Sequence, residues 1–339
     1  MKHKIVALAV GFAFAGTLAH ADVSSENTVG VFCIDLVAGK FNLVSAPMHK
    51  IPVDQGAATG NTGQTIADGG AGWTPGQFDA GVSNPALETG KSTYYVELTS
   101  GVLEGRHFQI ASNDAATLFL EASHADLGVA NVTSNGYKVV PYNRVRDVFG
   151  EPAASPLDVG TSSANADNVL FFGGGGFEVP VFLFEFLTTK EWRQGAVEVG
   201  DKTIDRDAGF FVNMKGSGVD TNICLTGEVS DNDQRVVLDA GITLHGGMNV
   251  VDPDLNTSGL SNVFDVGTSS ANADNVIPWK SDLTGYDVPH FLFNFLTTTE
   301  WRQGAVPTGA SVQTPAGAGF FINNRGGTAV TWVRPTPLN

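Results

Sequence analysis

Side-chain oxygens crowd two stretches of this chain, and oxygens at such density are what hard cations coordinate. Ser162, Ser163, Asn165, Asp167 and Asn168 stand close together, and Ser269, Ser270, Asn272, Asp274 and Asn275 repeat them. Calcium would use Asp167 and Asp274 as its charged ligands. The same residue types also cap short turns by bonding to nearby backbone groups, and the spacing suits either role. A second run places Asp252, Asp254 and Asn256 at alternate positions, as calcium loops do. Thr257 stands where such a loop needs glycine and Val263 where it needs the closing acid. Asp231, Asn232 and Asp233 form a shorter run of the same kind. Calcium is the one cofactor these residues suggest.

Aromatic residues are the next candidates. Trp73 and Trp279 fall outside the repeated framework described below, and either could stack on a sugar ring. Trp73 lies in a glycine-rich stretch of the kind that carries functional loops. Trp192 and Trp301, each followed by an arginine (Arg193, Arg302), occupy one position in two copies of a repeat, which favours packing. Glu191 and Glu300 precede them and could act as a glycosidase acid only opposite a second carboxylate. His49, His107, His124, His245 and His290 are scattered without metal-ligand spacing. The chain has no GxSxG elbow and no phosphate-binding loop. The reading is therefore of a protein that is not an enzyme.

What must position these residues is a duplication. DVGTSSANADNV runs from Asp158 to Val169 and again, unchanged, from Asp265 to Val276. VPVFLFEFLTTKEWRQGAV (Val179 to Val197) recurs as VPHFLFNFLTTTEWRQGAV (Val288 to Val306), and AGFFVN (Ala208 to Asn213) as AGFFIN (Ala318 to Asn323). Insertions fall between these landmarks, which marks the landmarks as framework. If the phenylalanine-rich segment is a strand, Phe182, Phe184 and Phe186 face one way, and Leu183, Glu185 and Leu187 the other. Phe210 with Phe211, and Phe320 with Phe321, suit a strand buried on both sides. Gly39, Phe41, Leu43 and Met48 faintly match Gly241, Ile242, Leu244 and Met248, so each unit is expected to open with a similar strand pair. No stretch sustains helical apolar spacing. The expectation is an all-β fold with short helical turns, built as two related sandwich-like or barrel-like domains. The first spans 22–222, with a glycine-rich excursion or lid at 55–91 and a meander at 93–121. The second spans 223–339 and duplicates 143–222.

Residues 1–21 have the charged start, apolar stretch and small-residue cleavage site of a signal peptide. Its removal takes two lysines and no acids, moving the net charge from -16 to -18. Such a field repels nucleic acid, and no transmembrane segment remains after cleavage. Cys33 and Cys224 lie in strand-like surroundings and could form a disulfide in an exported protein, or remain two buried thiols.

The order of FNLVSAP, YYVELTSGVLEGRHFQIASNDAATLFLE, DVFG, GTSSANADNV, WRQ and GFFV resembles that of uncharacterised secreted repeat proteins of Verrucomicrobia and related bacteria. The resemblance spans nearly all of the mature chain and implies no activity, substrate or catalytic residue. The expected function is a non-catalytic structural or adhesive role in the cell envelope or outside the cell, through self-assembly or binding to a glycan or an envelope protein. A glycan-binding or glycan-active module and a calcium-dependent adhesion domain are the alternatives.

Overall fold

The computed structural model describes residues 28–336 apart from 89, 174–175, 217, 248–253, 310–311 and 313–315. The expected signal peptide lies outside the described residues. The fold is strand-rich, its sheets are antiparallel, and none closes into a barrel among the described residues, in keeping with the sandwich-like alternative.

Each repeat is a sheet covered by a two-stranded ribbon. The first sheet runs in the order Val197–Glu198, Thr189–Gln194, Val181–Phe186, Asn168–Gly173, Gly209–Asn213, Phe41–Ser45. The second runs Val306–Pro307, Thr298–Gln303, His290–Phe295, Asn275–Pro278, Gly319–Asn324, Gly241–Gly246. The ribbons pair Val29–Leu36 with Thr221–Glu228, and Gln234–Leu238 with Val330–Arg334. Thr221–Glu228, most of which the sequence assigns to the second domain at 223–339, therefore pairs with the first. The faint N-terminal echo holds in register for two of its four pairs: Phe41 and Leu43 oppose Asn213 and Phe211, as Ile242 and Leu244 oppose Asn323 and Phe321, whereas Gly241 takes the place of Lys40 rather than Gly39, and Met248 lies outside the described residues.

Twinned side chains fill equivalent interiors. Val169, Leu183, Trp192, Phe210 and Val212 lie in one core, and Val276, Leu292, Trp301, Phe320 and Ile322 in the other. The aliphatic face of Val181–Phe186 turns inward, so Phe184 and Phe186 are left on the outer side, half-buried and exposed respectively.

Residues 55–91 are not a surface excursion or lid. Asp54–Ala57 pairs with Gly136–Pro141, and Thr65–Ala67 with Thr117–Leu120, within a seven-stranded sheet that also contains the meander strands Tyr94–Leu98 and His107–Asn113. A segment poor in aliphatic runs reads as loop, but here its few large side chains, Trp73 and Phe78, enter the core of that sheet. The other face of the meander is also buried: Tyr95 packs with Val140 and Tyr142, and Glu97 forms an ion pair with Arg206 of the first repeat.

The two repeat sheets meet through a local two-fold relation. Leu43 and Phe211 pack on Leu244 and Phe321. The Ser45 amide donates to the Gly317 carbonyl at 2.8 Å, and the equivalent Gly246 amide donates to the Asp207 carbonyl at 2.8 Å. Val44 bridges Ala318 as His245 bridges Ala208. Phe211 and Phe321 thus serve a different contact from Phe210 and Phe320, which is why the paired aromatics point both ways.

Candidate functional site

The residues singled out for calcium are engaged by backbone. The Asp167 carboxylate accepts from the Asp158 amide at 2.8 Å, and from the Lys215 and Gly216 amides at 2.7 and 3.0 Å. Asp274 accepts from the Asp265 and Arg325 amides at 2.8 and 2.6 Å. Both carboxylates are buried and clasp the block to the end of the adjacent strand. Asn165 and Asn272 accept from the Ser162 and Ser269 amides, and the Asn168 and Asn275 amides donate to backbone carbonyls. Backbone bonds of the capping kind thus engage Asn165, Asp167 and Asn168 and their twins Asn272, Asp274 and Asn275. Asp254 accepts from the Thr257 amide at 3.0 Å, a local turn, and Asn256 is exposed. Asp252 lies outside the described residues.

Trp73 is buried. Its indole N–H donates to Asp54 at 2.6 Å and its ring packs on Phe78 and Tyr137, so it offers no platform to a sugar. Trp279 is half-buried, with its indole N–H on the Phe41 carbonyl and its ring between Phe211 and Tyr286. Trp192 and Trp301 are core residues. Glu191 and Glu300 accept from Arg193 and Arg302 at 2.6 and 2.8 Å, and those guanidinium groups stack on Phe184 and Phe293 at 3.6 Å. Cys33 and Cys224 sit opposite each other in the first ribbon, on its exposed face, and form a disulfide.

The sequence carried no warning of two features. One is the turn after each phenylalanine strand. Phe186 pairs with Thr189 across a two-residue loop whose first residue, Leu187, has φ 56°. Leu296 in the second copy has φ 57°. Both leucines are 86% exposed, and Phe186 and Phe295 beside them are 56% exposed. A left-handed leucine costs about 1 to 2 kcal/mol relative to a right-handed one, and glycine would avoid that cost. Neither packing nor backbone preference explains this residue, and it stands in both copies.

The other is an open cleft of about 1000 Å³ where the meander, the loop before Gly209–Asn213 and the second repeat converge. His107, Asp205, Asp207 and His245 line it. Burial lowers the His245 pKa, against the pull of Asp207, Asp205 and Asp239. Desolvation would raise Asp205, but His107 and the Asp207 amide hold its carboxyl below the usual range. Behind the cleft, burial pushes Arg334 down to about 10, with Asp207 working the other way. The scattered histidines thus meet acids through tertiary structure alone, because His107 and His245 belong to different sheets.

Comparison of the chain with models of known families, with curated proteins and with solved structures gives no match.

Proposed function

We propose that the protein is an exported, non-catalytic structural or adhesive component of the cell envelope or extracellular space, akin to the secreted repeat proteins it resembles. The leader-like start and the Cys33–Cys224 bridge favour export, since disulfides persist in oxidising compartments. The observation that carries the reading is the pair of apolar turns, Phe186-Leu187 and Phe295-Leu296, presented identically by two sibling sandwiches. Two equivalent contact points on one chain allow a partner to be held at both, and simultaneous engagement multiplies weak contacts by effective concentration. Trp73, buried against Phe78 and Tyr137, lends the glycan alternative nothing, whereas the half-buried Trp279 borders a cavity of about 180 Å³ and keeps it as the second reading.

The test is the double variant Leu187→Gly, Leu296→Gly. It should fold at least as stably as the parent, because the turn strain is released, yet lose self-association in sedimentation velocity and lose retention in the envelope fraction. A variant that sediments and fractionates like the parent would sink the proposal. So would turnover on a polysaccharide that disappears in Glu191→Gln.

A further inference from the structure

The two-fold relation between the repeats exposes a departure from symmetry. Asp205, Arg206 and Asp207 align with Pro315, Ala316 and Gly317, and His245 aligns with Val44. The second ribbon carries Gln234 and Arg334 where the first carries Phe32 and Leu225. At the junction around Gly317 the neighbours are the rings and methyls of Phe32 and Ile34. Gly317 thus meets apolar side chains at one junction, whereas at the other Arg206 ties the first repeat to the meander sheet through Glu97 and the Gly105 carbonyl, and packing of the repeats does not account for Asp205 and Asp207 beside it.

We propose that His107, Asp205 and Asp207 bind a divalent first-row transition-metal ion, and that this ion clamps the meander sheet to the first repeat. One imidazole nitrogen and two carboxylate oxygens lie within 4.8 Å of one another. His107 Nε2 is 3.7 Å from Asp205 Oδ1, and His107 Nδ1 is 4.0 Å from Asp207 Oδ2. These separations exceed a hydrogen bond. One ion takes only one of the two ring nitrogens, so the bound that matters is the 4.8 Å within which one imidazole nitrogen and both carboxylate oxygens lie. Ligands on one zinc ion, with bonds of about 2.0 to 2.2 Å, stand about 3 to 3.5 Å apart, so side-chain rotation that closes the set by up to about 2 Å brings the three into a coordination sphere.

An independent observation points the same way. His107 Nδ1 is buried and has no hydrogen-bond partner, on a side chain only 11% exposed. Leaving a buried ring nitrogen unpaired is costly unless a ligand satisfies it. Asp207 is pre-oriented: Arg206 Nε donates to its Oδ1 at 3.3 Å and leaves Oδ2 toward His107. Arg206 is in turn held by Glu97 at 2.9 Å, so its charge is shared and does not cancel Asp207. Asp205 is 64% exposed and faces the cleft, which leaves room for water in the remaining positions. A nitrogen and two carboxylates with open positions suit zinc, manganese or ferrous iron better than calcium, which takes six to eight oxygens.

The test uses the full mature chain stripped of metal, titrated with Zn²⁺ and with Mn²⁺ by calorimetry and followed by thermal unfolding. One ion per chain should bind and raise Tm, and chelator should reverse the rise. Asp205→Asn, which keeps the side-chain oxygen that accepts from the Asp207 amide, should weaken binding at least tenfold while leaving the metal-free Tm close to that of the parent. His107→Gln should abolish the nitrogen coupling in the Mn²⁺ spin-resonance spectrum. Absence of stoichiometric binding of either ion, or affinities unchanged in Asp205→Asn, would overturn the assignment.

Discussion

Trp192 and Trp301 share a position and a neighbour, since Phe149 and Phe264 lie 5.9 and 5.6 Å from them ring to ring. They differ in one atom's fate. Trp192 donates its indole N–H to the Gly150 carbonyl at 2.9 Å, whereas the buried Trp301 Nε1 has no partner among the described residues. Both substitutions to Phe lose similar ring volume, but only the first loses a hydrogen bond. Trp192→Phe should therefore cost about 1 kcal/mol more than Trp301→Phe in chemical denaturation. Equal losses would mean that the indole bond contributes nothing. This residue pair was legible in sequence as packing, because twinned aromatics in a framework have a common physical reason. The hydrogen bond was not, because Gly150, which caps the Val145–Phe149 helix, meets Trp192 only once that helix packs on the sheet.

At the scale of elements, the first ribbon joins residues 191 apart in sequence through Cys33 and Cys224. The cysteines face outward while Ile34, Leu36, Ile223 and Leu225 face the core, so replacing them leaves no cavity. The double variant Cys33→Ser, Cys224→Ser should lower unfolding stability by about 2 to 5 kcal/mol, chiefly through freedom returned to the unfolded chain. Guanidinium midpoints under identical oxidising conditions would measure it, and a shift below about 1 kcal/mol would count against that account. The strand character of both cysteine segments could be read from alternation. Their adjacency could not, since pairing across so long a separation leaves no local signal. The glycine-rich stretch at 55–91 misled for the opposite reason: it lacks strand propensity of its own and acquires strands by pairing with Gly136–Pro141 and Thr117–Leu120.

Three sheets press against one another across the whole molecule, and several histidines are caught neutral between them. Burial lowers His49 well below its ordinary value, with Arg206, His107 and Lys138 adding to the effect, and burial also lowers His245 and His290. A histidine whose folded pKa is depressed binds its proton more readily when unfolded. Its stabilising contribution is complete above about pH 6.5, the unfolded value, and is lost as pH falls from there toward the folded pKa. Stability should thus decline between pH 7 and 5.5, by up to about 1.4 kcal/mol per pH unit for each such group. In His49→Gln the slope should be shallower. Denaturation midpoints that stay flat over that interval in the parent would contradict this.

The chain by itself determined the class of fold and the twin cores, and narrowed the repeated block to capping or cation binding, because alternation, duplication and turn-forming side chains act over a few residues. Tertiary structure alone decided that the two sandwiches face each other across Phe211 and Phe321, that Trp73 is interior, and that His107 meets Asp205 and Asp207. Those outcomes depend on which surfaces are brought together, and residues separated by a hundred positions can be neighbours only once packing has folded the sheets between them.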